Sequence, residues 1–143
     1  MGHPHLYHLA DKGQWEACKA SQAAYYPPTY DQDGFIHLTA DPGLLLDVAN
    51  QFYKDAPGDW LVLKLDSAKL TAEVKYEPAA PVGNTPPGSL SEGKQGEEPL
   101  FPHLYGTIDF AAVVEELPAA RNADGTFVSI EGVRINAIMA ELI

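Results

Sequence analysis

The chain has 143 residues, of which 45% are hydrophobic, a length and balance suited to one soluble globular domain with a real core. Nine basic against twenty acidic residues give a net charge of −11, which repels nucleic-acid phosphates and anionic membrane surfaces, so neither is expected as a partner. No apolar run approaches 18 residues, the start Met1-Gly2-His3-Pro4-His5 lacks the pattern of a secretory signal, and Cys18 is the single cysteine; a reducing, cytoplasmic setting is expected.

Taken in chain order, His5-Leu6-Tyr7-His8-Leu9-Ala10 reads as a first strand. Alternation sets His5, Tyr7 and Leu9 on one face and Leu6, His8 and Ala10 on the other, so His8 points inward among apolar neighbours. Asp11 is positioned to cap a helix over Lys12 to Ala23 that packs through Trp15. The span Tyr25-Tyr26-Pro27-Pro28-Thr29-Tyr30 is barred from regular helix or central strand by two prolines and forms a stiff aromatic loop, equally suited to wall a pocket or to pack on the surface.

Gly34-Phe35-Ile36-His37-Leu38-Thr39-Ala40 carries the pattern of a half-buried strand, with His37 and Thr39 sharing one face. Asp41 and Pro42 then read as cap and first position of a helix running to about Lys54, with Leu45, Val48, Ala49 and Phe52 as its apolar stripe. Trp60–Asp66 is a near-continuous apolar strand and so a central one. Ala72–Glu77 is a further strand with Val74 and Tyr76 on one face and Glu73, Lys75 and Glu77 on the other. From Pro78 to Pro99, prolines and glycines with few large apolar residues predict a long irregular loop. Order returns at Leu100-Phe101-Pro102-His103-Leu104-Tyr105-Gly106. Phe110–Leu117 is strand-like and ended by Pro118, Asn122–Gly125 is a turn, and Phe127–Ile130 a short strand. In the tail, Ile135, Ile138, Met139 and Leu142 recur at helical spacing, a stripe that would dock on the domain or support self-association. Strands cluster after the helices, so the class is α+β in a single domain over 1–143.

The chemistry-bearing residues are His8, His37 and His103, each in or beside a strand, with Thr39, Glu77 and Tyr105 as companions. Histidine titrates near neutrality, which makes His37 and His103 candidates for general acid–base catalysis and His8, Thr39, Tyr105 and Tyr26 candidates for ligand binding. Three histidines from separate strands also suit an open zinc site, but none has a second histidine at the two- or four-residue spacing of many metal sites, and no resident metal is expected. A terminal Met1-Gly2-His3 chelate for copper or nickel carries little weight, because methionine before glycine is commonly removed. Cys18 lies within the alanine-rich helix and reads as packing.

Taken together, Leu6-Tyr7-His8-Leu9, Trp15, Gly34-Phe35-Ile36-His37-Leu38-Thr39, Phe52-Tyr53, Leu63-Lys64-Leu65-Asp66, Val74-Lys75-Tyr76-Glu77 and Phe101-Pro102-His103-Leu104-Tyr105-Gly106 resemble the bacterial family known as DUF952, over about residues 5 to 130. The resemblance implies an ADP-ribosyltransferase-like fold, with two small split antiparallel β-sheets, two early helices and NAD or a related nucleotide held between the sheets as substrate. It implies that His8 contacts the nicotinamide ribose. It sets His37 and Thr39 closer to the RNA 2′-phosphotransferase branch, whose phosphate-binding arginine has no counterpart near this motif. The late glutamate of such transferases is also unmatched, since Glu77 comes too early in the chain and His103 with Tyr105 occupies the later block. The alternatives are a non-catalytic ligand-binding or protein-interaction domain, or a histidine-based metal site.

Overall fold

The computed structural model describes residues 3–88 and 100–133. The C-terminal stripe of Ile135, Ile138, Met139 and Leu142 lies outside the described residues. The described residues form seven strands: β1 (His5–Asp11), β2 (Ile36–His37), β3 (Trp60–Asp66), β4 (Glu73–Pro78), β5 (Leu100–Tyr105), β6 (Val113–Arg121) and β7 (Phe127–Ile130). The helices are α1 (Lys12–Ser21), the single turn α2 (Tyr30–Asp33) and α3 (Leu45–Phe52). The class is mixed α+β, with few helices and antiparallel, curled sheets.

One sheet runs β1-β3-β6-β7 and the other β2-β5-β4. They meet at Thr39, whose backbone exchanges two 2.8 Å hydrogen bonds with Tyr7 of β1. Alternation along β1 divides the interior. Leu6 and Ala10 join Leu61, Leu63 and Leu65 of β3, Ile36, Leu38 and Leu104 of the second sheet, and Trp15 of α1 in one core. Tyr7 and Leu9, on the opposite face, pack with Val62, Leu117, Phe127 and the α3 residues Leu45, Val48 and Ala49.

The local signals act as expected in most places. Asp11 accepts from the Gln14 backbone N–H at 3.0 Å and starts α1, which docks by Trp15 Nε1–H donating to Glu116 of β6 at 2.9 Å. Asp41 accepts from Gly43 N–H at 2.9 Å, but Pro42–Leu44 closes as one tight 3₁₀ turn before α3 begins, so the helix is shorter than the sequence predicts. Its far end is closed by Arg121, whose guanidinium donates to the carbonyls of Tyr53, Lys54 and Gly58.

Two expectations need correction. Pro118 does not end β6, which continues to Arg121. The proline sits where pairing passes from β3 (Leu61 opposite Pro118) to β7 (Ala119 opposite Ile130), so its missing donor interrupts neither ladder's interior, and its carbonyl accepts from Glu131 N–H at 2.9 Å. The region after Pro78 is not loose at its start. Val82 and Thr85 exchange two 2.9 Å backbone hydrogen bonds around Gly83-Asn84, and Val82 is buried. The remainder, 89–99, lies outside the described residues.

Candidate functional site

Two short strands carry the site. Ile36 and Leu38 are drawn into the core, which turns His37 and Thr39 to the opposite face. Leu104 does the same on β5 and turns Phe101, His103 and Tyr105 that way. His37 and His103 are direct partners across β2 and β5, and His103 faces Lys75 across β4. Their imidazole centroids are 5.6 Å apart.

Each imidazole is held by its own carboxylate. His37 Nε2 lies 2.8 Å from Asp33 Oδ2, and His103 Nδ1 lies 2.8 Å from Glu77 Oε1. Glu77 Oε1 also accepts from the Tyr105 hydroxyl at 2.6 Å. Phe35 lies flat on His103, with centroids 4.0 Å apart at 14°, and tilts against His37 at 4.7 Å. An ionised carboxylate only accepts, so the neutral rings carry hydrogen on His37 Nε2 and His103 Nδ1. His37 Nδ1 and His103 Nε2 are left as lone-pair nitrogens with no hydrogen-bond partner among the described residues.

Burial lowers the pKa of both imidazoles, and the carboxylates oppose it only in part, so both rings are neutral near pH 7. Glu77 is the more exposed carboxylate, at 36% against 5% for Asp33, while the His103 ring is the more buried imidazole, at 3% against 16% for His37. The Tyr105 and His103 hydrogen bonds pull the Glu77 pKa down. The same Tyr105 bond pushes the tyrosine up to about 12.

His37, Thr39 and His103 form the polar side of a narrow cleft of about 460 Å³, counted out to its open mouth. Leu9 of β1, Val48 and Phe52 of α3, Phe101 of β5 and Val82 supply its apolar walls. Its enclosed interior is about 30 Å³, room for about one water, and the rest of that volume is open mouth. The Thr39 hydroxyl has no partner among the described residues, although the residue is buried. No lysine or arginine is among the described residues that line it.

The sequence-predicted residues therefore separate. His37, Thr39 and His103 share the cleft, and Tyr105 stands behind His103 through Glu77. His8 does not reach the cleft. It is 2% exposed on the other face of β1, where Nδ1–H donates to the His37 carbonyl at 2.8 Å and Nε2 accepts from the Tyr25 hydroxyl at 2.8 Å. With both nitrogens occupied, it braces the strand that carries His37 and offers nothing to a ligand ribose. Tyr26 is 43% exposed and stacks edge-on with Tyr30, away from the cleft, because Tyr25 takes the inward position of that loop.

The sequence singles out Glu77 only as a companion of the histidines, and Asp33 and Phe35 not as site residues at all. Asp33 is brought to His37 by Gly34, whose φ of 83° ends α2 and reverses the chain. Glu77 is early in the chain, but antiparallel pairing of β4 with β5 sets it opposite Phe101, diagonal to His103 and on the same face. Its alternation with Lys75 was the available signal. Among the described residues, no group of three or more His, Cys, Asp or Glu is arranged to hold a metal ion, and no helix is long and apolar enough to cross a membrane.

Comparison with known proteins gives a family and a fold. The family model described as a protein of unknown function, DUF952, matches residues 9–116. A crystal structure of protein CC0527 from Caulobacter crescentus is similar at 24% identity and a TM-score of 0.64, with 87% of this chain and 93% of that chain covered. A crystal structure of a double mutant of the same protein gives 23% and 0.63 over the same shares. Its solution NMR structure gives 22% and 0.53, over 85% and 90%. None of these three is named an ADP-ribosyltransferase, so they lend that finer resemblance no support. No curated protein matches the chain.

Proposed function

From the premise that this chain belongs to the DUF952 family, we propose that its cleft binds a small organic molecule and carries out general acid–base chemistry on it through His37 and His103. One observation carries the reading: two imidazoles 5.6 Å apart, each fixed in one tautomer by a separate carboxylate and each with one unused nitrogen. A single buried histidine with both nitrogens satisfied, as His8 is, needs only a structural explanation. Two neighbouring imidazoles with unused lone pairs on an open cleft, beside a hydroxyl with no partner among the described residues, suit proton transfer. Either ring can take a proton from a bound molecule, stabilised as imidazolium by Asp33 or Glu77, while the other serves a second position on the same molecule.

The test is a small-molecule screen read by the imidazole NMR signals of His37 and His103, followed by His37→Gln and His103→Gln. A compound that binds should shift both signals, and either substitution should cut turnover by about 10²–10⁴ while weakening binding far less. Binding that leaves both signals unchanged overturns the reading. Binding that shifts them without turnover makes the cleft a non-catalytic ligand site.

A second reading follows from the place of the cleft, where the two sheets join at Thr39. It is the position in which an ADP-ribosyltransferase-like fold would hold NAD. Nicotinamide release from NAD, followed by mass spectrometry, tests it, and its absence at millimolar NAD removes the transferase reading. The walls favour the first reading, because a pyrophosphate finds no cation among their described residues.

A further inference from the structure

Resting on the acid–base reading above, we infer that the cleft selects uncharged or cationic hydrogen-bond-donating molecules with a flat apolar body, and rejects carboxylates and phosphates. Three features lead to this class. The groups with spare capacity are two imidazole lone pairs and the Thr39 hydroxyl, two of them pure acceptors in the neutral rings, so the matching ligand brings donors such as O–H or N–H. The charged groups directly behind the imidazoles are the Asp33 and Glu77 carboxylates, so an anion held by the rings would face like charge one ring away. The remaining walls, Leu9, Val48, Phe52 and Phe101, are apolar and close together.

Among the described residues, no nearby cation offsets this. Lys75 shares the sheet face, but its ammonium lies 5.0 Å from the Tyr105 ring centroid and is not among the lining residues. Arg121 is committed to the carbonyls that end α3. Burial keeps the imidazoles neutral near pH 7, so they supply no standing positive charge either.

Four probes with one ring and different charge decide the matter: benzyl alcohol, benzylamine, benzoate and phenyl phosphate, titrated into the whole protein at pH 7.5 with the His37 and His103 signals as readout. Benzyl alcohol and benzylamine should shift both signals, with benzoate and phenyl phosphate weaker by roughly tenfold or more, the scale of one uncompensated charge contact. In Glu77→Gln the discrimination against benzoate should shrink, since one of the two repelling carboxylates is gone. Equal or tighter binding of the anions, with both signals shifted, overturns the charge rule and leaves the acid–base reading standing. Silence of all four probes at millimolar concentration overturns both.

Discussion

His8 and His37 show how two histidines of similar sequence setting reach opposite roles. His8 has a carbonyl on one nitrogen and a tyrosine hydroxyl on the other. Replacing it by Ala leaves the His37 carbonyl and the Tyr25 hydroxyl unpaired in the interior, and should cost about 2–4 kcal/mol of stability by urea unfolding. A change that instead abolished ligand binding at full stability would return His8 to the site. The carboxylate partners make a second prediction. In Asp33→Asn the His37 pKa should fall, because the carboxylate is what raises it against burial. In Glu77→Gln the His103 pKa should fall likewise, and Tyr105 should move back from about 12 toward 10, read by NMR and by ultraviolet titration of the phenol.

At the scale of elements, the turn at Gly83 links the cleft wall to the catalytic candidates. Asp33 accepts from Gly83 N–H as well as from His37, and Gln32 donates to the Gly83 carbonyl at 3.0 Å. Gly83 has φ of 59°, and a Cβ there would meet Thr29 Cγ2 at 3.0 Å. Gly83→Ala should therefore lose roughly 1–2 kcal/mol, and loosen Val82 over the cleft, seen as a lower Tm together with a shifted His37 signal. An unchanged Tm would show that the turn is not strained. The Pro/Gly-rich composition that predicts a loose loop is blind to this, because the anchoring groups come from α2, fifty residues earlier.

Legibility follows the same line. Faces of single strands were readable, since period-2 alternation at Ile36–Thr39 and Leu6–Ala10 depends only on neighbours in the chain. Glu77 is readable as a companion of the histidines, but that it joins His103 depends on the antiparallel pairing of β4 with β5, which chain order does not give. The composition of the Tyr25-Tyr26 loop does not say which of two adjacent tyrosines turns inward, and Tyr25 does. The two sheets are joined by the Tyr7–Thr39 backbone pair, the His8 bond to the His37 carbonyl and the core shared by Leu6 and Ile36, long-range contacts for which the sequence carries no separate signal.

Over the whole molecule, three histidines are held neutral by burial, with His8 lowered to about 4. A folded pKa below the unfolded value of 6.5 means that the unfolded chain binds more protons in between, so stability is full above about pH 6.5 and is lost as pH falls toward 4. The His8 share alone is on the order of 3 kcal/mol. Urea midpoints measured from pH 7.5 to 4.5 should fall steadily, and His8→Asn should flatten the slope. A flat wild-type profile would mean that His8 can charge inside the fold. The core divided by β1 makes this loss global, because His8 ties the strand of one sheet to β2 of the other.

Phe35 gives the site a signature that needs no ligand. Its ring lies parallel to the His103 imidazole at 4.0 Å. The circulating π-electrons of a benzene ring shield nuclei held above its face, so the carbon-bound protons of His103 should resonate well upfield of those of a histidine in an unfolded peptide. Phe35→Leu keeps an apolar cover but has no ring current, and it should return those lines to ordinary positions. The displaced resonance thus reports, in a one-dimensional spectrum, whether the imidazole stack is assembled in any member of a mutant or homologue series.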